Sequence, residues 1–550
     1  MIETRRRRLA WAAALLLAAF ARPGMGQPAD IRSLIAAGTL DGMRWPDFAD
    51  CRTGLQELYE STGYAPVWME GTQPRPQSLS MIRLFGDAEE KGLDPEDYDA
   101  SRWAERIRSL QGSPDGAAAA RFDVALTVCA MRYVSALQIG RINPGHFEFG
   151  LTVNDREYDL ARFLRDRVLT APKVQDVLDE VESPLGGYRH TGRALARYLE
   201  LARADDGEKL PVVSRPVDPG QDYAGVPRLV RFLRLVGDLP ADAAVPEDSR
   251  VYGGPVVEAV KRFQRRHGLE DDGRLGRATL DQLNVPLQDR VRQLELAMER
   301  WRWLAFEICS PLIVVNIPDF QLRALDEDLD VALEMRVVVG KAMRTQTPVF
   351  AAEMTHVVLR PYWNVPLGIL RREILPDIRR DRRYVARKKY EITTPDGKVA
   401  ASGSVSDDAL ARLRTGKLML RQKPGSANSL GRVKLMFPNE YDVYLHDTPA
   451  RELFSRSRRD FSHGCIRVEK AAELAAWVLR ENPGWTLERV RQAMQSGKDD
   501  VTVRLAKPVP VFIVYATAAA DESGDVRFYD DVYGHDAELA AALAQGYPYP

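Results

Sequence analysis

The chain has 550 residues, of which 45% are hydrophobic and 28% charged, with a net charge of -1. This is the balance of a globular protein rather than of a disordered or fibrous chain, and the length leaves room for roughly three to four domains. Near-neutral charge gives no whole-protein pull toward nucleic acid or an anionic membrane, although local basic clusters exist.

Arg5 to Arg8, the apolar run Leu9 to Ala21 and the small residues Gly24 and Gly26 read as an export signal over 1–26. The run is short for a bilayer span, so cleavage is the expectation and a retained anchor the alternative. No cysteine immediately follows the candidate cut, and no later stretch reads as long and apolar enough to cross a membrane. Residues 30–203 are predicted to be mostly helical, with apolar stripes at 54–64 and at 118–137, the latter ending at Gly140. The polar stretch 204–225, rich in Asp, Pro and Gly, reads as a linker. A small helical module follows over 226–286. Val256, Val257, Val260 and Phe263 mark one helix face there, and Asp271-Asp272-Gly273 marks a turn.

A connecting helix over 287–310 precedes a change of period. Two-residue alternation at 312–317, 321–325, 333–339, 354–359, 432–436, 443–446 and 509–515 predicts strands of a mostly β domain over 311–535. One helix, 469–480, follows Cys465 and stops at Asn482-Pro483. Residues 536–550 form a tail without a pattern. The predicted fold class is multidomain α+β. Within the β domain, Arg371, Arg372, Arg379, Arg380, Arg382, Arg383, Arg387, Lys388 and Lys389 crowd the insertion 367–423. Its place between two motif-bearing pieces predicts a lid over a cleft, with a solvated helix face as the plainer reading.

Four cysteines, Cys51, Cys129, Cys309 and Cys465, are scattered without CxxC or zinc-type spacing. One reactive thiol and three buried small hydrophobes account for them better than a disulfide framework. The reactive candidate lies in Ser462-His463-Gly464-Cys465-Ile466-Arg467, nineteen positions after His446. A thiol attacks as thiolate and needs a base or a positive field. Two histidines compete for the base, and the N-terminal end of the following helix would add a positive field. Gly464 would let the backbone approach a substrate carbonyl. The N–H groups of Gly464 and Cys465 are the natural donors to an oxyanion. Metal binding by His446, His463 and Cys465 is a minor alternative, and no phosphate loop or dinucleotide fingerprint stands out.

The stretch from Pro424-Gly425 through Asn428, Leu430-Gly431-Arg432-Val433-Lys434, Phe437-Pro438-Asn439 and His446-Asp447-Thr448-Pro449 to Ser462-His463-Gly464-Cys465 resembles the L,D-transpeptidases of bacterial cell-wall synthesis. Tyr64-Ala65-Pro66-Val67-Trp68, Gly92-Leu93-Asp94-Pro95 and Gly140-Arg141-Ile142-Asn143-Pro144 resemble the helical scaffold of the larger Gram-negative members. Ala259 to Gln264 with Gly276 to Leu280 resembles the small peptidoglycan-binding three-helix domain.

The resemblance implies a sandwich-like β catalytic domain, a Cys465 nucleophile, His446 as its base and the Asp447 backbone carbonyl as the group orienting that imidazole. It places His463 and Gly464 beside the thiol, and Arg467, Trp363, Asn364, Tyr444 and Ser462 toward substrate, with pairing of Arg467 to Glu469 as the scaffold alternative. It implies no metal and no cofactor, a periplasmic location and peptidoglycan stems and sacculus as partners. A monomer is expected, with room for wall-synthesis partner proteins and no nucleic acid. The implied activity is a 3→3 cross-link made through a thioester. An L,D-carboxypeptidase, a lipoprotein-attaching enzyme and a non-catalytic wall-binding scaffold are the alternatives. The module 226–286 is expected to aid retention on the wall and to be dispensable for acylation, with mere packing against the catalytic domain as the alternative.

Overall fold

The computed structural model describes residues 30–549 apart from 111–115, 152, 154–158, 247, 305–309, 344 and 404. The export-signal reading and Cys309 lie outside the described residues. Cys51 and Cys129 are buried free thiols, packed as small apolar groups.

The N-terminal region winds short helices and turns around α1 (Ala117–Ile139), which is apolar on all sides because it is surrounded. By length and composition α1 could cross a bilayer, against the sequence expectation, yet nearly all of it is buried inside the protein. Asp123 within it is buried but accepts from the Tyr59 hydroxyl and from the Val67 and Trp68 N–H groups at 2.6–2.8 Å, which offsets its desolvation. The chain leaves α1 at Gly140, whose φ is +82. A Cβ there would lie 2.7 Å from Glu299 Oε1. Glu299, fully buried, accepts from the Arg141 and Ile142 N–H groups.

Four further helices complete the middle of the chain: α2 (Gly186–Ala204), α3 (Val226–Val236), α4 (Pro255–Arg266) and α5 (Arg277–Leu283). The connecting helix α6 (Leu287–Trp303) carries Glu299 and packs along α2. The three-helix module α3–α5 shares one core with α2, α6 and the hairpin Ala518–Ala520/Val526–Phe528 from far downstream. His267 stacks between Phe263, 3.8 Å away, and Phe528, 5.7 Å away. Gln282 donates to Asp530 at 2.8 Å. The module is therefore built into the body of the protein, not hung from it.

The β region is a nine-stranded sheet interrupted by an insertion. Strands β1 (Leu312–Asn316), β2 (Gln321–Leu325), β3 (Val331–Gly340) and β4 (Phe350–Leu359) come before the insertion. Within the insertion lie β5 (Trp363–Asn364), β6 (Tyr390–Thr393), β7 (Val399–Ala401), the helix α7 (Asp407–Thr415) and β8 (Met419–Gln422). The sheet resumes with β9 (Val433–Met436), β10 (Leu445–His446), β11 (Asp460–Ser462), β12 (Ile466–Val468) and β13 (Val501–Val514). Neighbours in it run β11-β3-β12-β10-β9-β4-β13-β1-β2, and β2 pairs back onto β3. Strands β4 and β13 are longer than the alternation at 354–359 and 509–515 predicts. The predicted strand at 443–446 shortens to two residues, because Asp442 takes a positive φ of +54 and breaks the ladder before it. Helices α8 (Ala471–Val478) and α9 (Leu487–Ser496) pack on the sheet.

The insertion is a folded subdomain. Its strands form a separate sheet in the order β5-β8-β6-β7. With α7 and the helical run Leu367–Ile369, Leu370–Ile374 and Leu375–Arg380, they enclose their own apolar core. The tail is not patternless in space. The helix α10 (His535–Leu543) leads to Tyr547, whose ring lies 4.4 Å under the Arg132 guanidinium, and to Tyr549, whose hydroxyl donates to Asp97 at 2.7 Å.

Candidate active site

Cys465 lies in the tight turn between β11 and β12. Gly464 holds φ +112, a conformation that residues with a Cβ avoid. A Cβ at Gly464 would meet no protein atom closer than 3.7 Å, so within the protein it is torsion that requires the glycine. The Ser462 hydroxyl accepts from the Gly464 N–H at 3.1 Å and donates to the Cys465 carbonyl at 2.5 Å. On the outer side, Thr345 donates to the Ser462 carbonyl at 3.0 Å and Thr347 to the Gly464 carbonyl at 2.7 Å. The Tyr533 hydroxyl accepts from the Thr347 N–H and donates to the Gly340 carbonyl.

The turn refines two expectations. Ser462 is 2% exposed and spends its hydroxyl inside the turn, so it shapes the backbone at Cys465, and it also lines the cavity described below. The Gly464 N–H is likewise engaged, which leaves the Cys465 N–H, without an acceptor among the described residues, as the backbone donor.

Strands β10 and β12 run parallel, with Leu445 opposite Ile466 and His446 opposite Arg467. Antiparallel β9 places Lys434 opposite His446. Side chains two apart on a strand share a face, so Tyr444, His446, Cys465, Arg467 and Lys434 converge on one side of the sheet. His446 is 5% exposed, and its Nδ1 hydrogen-bonds the Asp447 carbonyl at 2.6 Å. A carbonyl only accepts, so Nδ1 carries the hydrogen and Nε2 keeps the lone pair. The Asp447 carboxylate is engaged elsewhere, accepting from the Arg432 N–H at 2.9 Å.

Burial lowers the His446 pKa to about 3, with the Arg467 charge adding to the effect and the Asp447 carbonyl opposing it. Burial also pushes the Cys465 thiol up, while hydrogen bonds from Tyr444 and the charge of Lys434 pull it down. The closed site thus holds a neutral thiol beside a neutral imidazole. The expected helix field does not reach the thiol: the chain continues from Cys465 into β12, and α8 starts only at Ala471. The thiol donates to the Asp442 carbonyl, 3.6 Å away.

Arg467 does not pair with Glu469, which takes Arg336 at 2.8 Å instead. Its Nε is buried without a hydrogen-bond partner among the described residues, and the side chain faces a cavity of about 940 Å³. Trp363 and Asn364 line the same cavity, Trp363 half-buried against the core of the insertion. The insertion supplies Ile369, Arg372, Glu373 and Asp377 to the wall, while Lys434, Tyr444, His446, His463, Cys465 and Arg467 come from the sheet side. Part of its basic run therefore forms one side of the cavity, in the place of a lid.

Lys434 enters the sequence reading only as part of a motif, which does not reveal its place. Its Nζ lies 3.8 Å over the Tyr444 ring, and burial lowers its pKa while the Cys465 charge opposes that. A lysine inside an alternating apolar strand is the available signal. His463, a flanking residue by sequence, has a partner from the insertion: Nε2 lies 2.6 Å from Glu373 Oε1. Among the described residues no His, Cys, Asp and Glu group is arranged to hold a metal; the second histidine faces a carboxylate and the first a carbonyl.

Comparison with known proteins finds matches in three parts of the chain. Residues 310–511 match the family model for the L,D-transpeptidase catalytic domain, residues 53–195 the scaffold domain and residues 224–283 the peptidoglycan-binding domain. A curated relative from Haemophilus influenzae, described as a putative L,D-transpeptidase, is 35% identical over 231 residues. That match covers 42% of this chain and 45% of the relative, so the chain spans under half the length of the relative it matches. A solved L,D-transpeptidase from Xylanimonas cellulosilytica is 13% identical over 55% of this chain and all of that one, with a TM-score of 0.16, a likeness too slight to bear on the fold.

Proposed function

We propose that this chain, which carries an L,D-transpeptidase catalytic domain alongside scaffold and peptidoglycan-binding domains, makes 3→3 cross-links between peptidoglycan stems through a Cys465 thioester. The observation that carries this reading is the convergence of Tyr444, His446, Cys465 and Arg467 on one face of paired strands, beneath a lid.

In the first half-reaction, His446 Nε2 takes the thiol proton as Sγ attacks the carbonyl of the third stem residue. Negative charge on the carbonyl oxygen develops near the Cys465 N–H and the Tyr444 hydroxyl, donors that are in place before the reaction. His446 then returns its proton to the departing D-alanine amine. Arg467, a cation lining the cavity with its Nε free of hydrogen bonds among the described residues, suits a stem carboxylate. In the second half-reaction an amine from another stem takes the acyl group, restoring the thiol. Export to the periplasm, peptidoglycan retention by the three-helix module and acylation of Cys465 by carbapenems belong to the same proposal.

Incubation of the purified protein with disaccharide tetrapeptides, followed by mass spectrometry, tests it. Cross-linked dimer lacking one D-alanine is the expected product. Cys465→Ala should abolish it while keeping the fold, because a small side chain replaces another in the turn. Trimmed monomer alone would make the protein a carboxypeptidase, and an active alanine variant would remove Cys465 as nucleophile.

A further inference from the structure

His463 and Glu373 make a carboxylate–imidazole pair within the same cavity, apart from the carbonyl-bonded His446. Glu373 sits in the π-helical turn Leu370–Ile374, a backbone irregularity that recurs at functional positions. Two acidic residues of the basic run, Glu373 and Asp377, line the cavity. Of these, Glu373 is the one that bonds the nucleophile turn, at 2.6 Å from His463. Both side chains keep access to solvent, with 28% of His463 and 48% of Glu373 exposed. A carboxylate only accepts, so His463 Nε2 carries the hydrogen and Nδ1 is left to accept a proton.

The transfer step needs such a group. An acceptor amine arrives as an ammonium ion, which has no lone pair to attack with. His446 Nδ1 already donates to the Asp447 carbonyl, which leaves only Nε2 for proton exchange. Its remaining task is to exchange one proton with Sγ. Lys434 and Arg467, also near the turn, are cations and disfavour a second positive charge. Glu373 supplies an anion already bonded to a histidine.

We propose that Glu373 and His463 form the acceptor-side base, with His463 receiving the proton of the incoming ammonium group and Glu373 acting as its positioning residue. This rests on the transfer reading above. Neutral His463 takes one proton from R–NH₃⁺ at Nδ1, giving imidazolium and R–NH₂. The amine lone pair forms the C–N bond with the thioester carbonyl, and the C–S bond breaks with its electron pair on Sγ. A second amine proton passes to the thiolate by way of His446, leaving an amide with one hydrogen on nitrogen; His463 gives its proton to water. Because Glu373 belongs to the lid, this base is complete only with the lid down.

The test compares wild type, Glu373→Gln, Glu373→Asp and Glu373→Ala of the full chain, using a tetrapeptide donor and a tripeptide acceptor bearing a diamino-acid side chain. Mass spectrometry follows the thioester, the hydrolysed donor and the cross-linked product. Glutamine still hydrogen-bonds His463 and keeps the lid tied, but it brings no counter-charge. In Glu373→Gln the acyl-enzyme should accumulate, and the ratio of cross-link to hydrolysis should fall at least tenfold, with aspartate recovering part of it. A ratio unchanged in Glu373→Gln would overturn the proposal. Equal losses of thioester formation and transfer in all three variants would also overturn it, making Glu373 a lid fastener. A wild type that forms no thioester would instead refute the transpeptidase reading on which it rests.

Discussion

His446 and His463 flank one thiol and are held in opposite ways. The first is buried and bonded to a main-chain carbonyl, the second half-exposed and bonded to a lid carboxylate. His446→Ala should slow thioester formation by roughly a hundredfold or more, the usual worth of a positioned base. His463→Ala should cost at least tenfold less in that step, and stopped-flow acylation by a carbapenem measures both. Equal losses would overturn the division of roles. The low pKa of His446 also makes a stability prediction. From 6.5 for an ordinary histidine it falls to about 3 in the fold, so between those values the unfolded chain binds more protons than the folded one. Stability is then complete above pH 6.5 and is lost as the pH falls toward 3. Urea unfolding at about pH 7.5 and 4.5 should show a drop of which about 3 kcal/mol disappears in His446→Gln. Asp447→Ala, which the family pattern treats as harmless, removes the carboxylate from the Arg432 N–H and should cost about 1 kcal/mol of stability without touching the imidazole bond.

Among the larger units, the lid has its own core and is entered and left through neighbouring strands. Trp363 pairs with Gln422 and Asn364 with Arg421, and the Val365 N–H donates to the Leu420 carbonyl at 2.9 Å. Residues 366–419 can therefore be replaced by a short turn joining adjacent chain ends. Most of their core leaves with them, while Val365 and Leu420, which belong to it, stay behind and must be covered by the joining turn. The shortened enzyme should still form the thioester, while hydrolysis rises severalfold against cross-linking as water gains entry. Product ratios by mass spectrometry check this; an unchanged ratio in a folded protein would leave the lid without a part in partition. The insertion 367–423 holds fifteen Lys and Arg against seven Asp and Glu. Reversing Arg372 and Arg379 should raise the apparent KM for an acidic stem, more at low than at high ionic strength.

Across the molecule, the feature with most consequence is how many sequence-distant pieces share one core. The sequence alone makes the three-helix module dispensable for acylation. Its helices instead pack with α2, α6 and the hairpin ending at Phe528. Deleting residues 226–284 should expose the Phe528 face and lower both soluble yield and acylation, with thermal unfolding no longer a single transition. Phe528→Ala is the milder version, expected to cost about 3 kcal/mol in urea unfolding. A deletion variant that acylates normally and unfolds as cleanly as the full chain would show the module to be independent after all.

What is local can be read from the chain alone. Alternation and helical period depend on near neighbours, so the change from helices to strands after residue 311 is legible, as is the Ser462 to Arg467 turn with its upstream histidine. The Nδ1 bond from His446 to Asp447 is also local, between adjacent residues, and it is the contact that the family resemblance implies. Whatever depends on residues far apart in the chain is settled only by folding. The Gly464 N–H is taken by Ser462 because the turn closes on itself, a matter of torsion that composition does not encode. The neutral resting state of Cys465 and His446 follows from burial among strands and loops that lie far apart in the chain. The Glu373–His463 bond joins residues ninety positions apart, and the Tyr547 stack on Arg132 joins residues more than four hundred apart. Such pairs leave no period in the sequence, because their spacing is set by how the domains pack and not by the geometry of any one element.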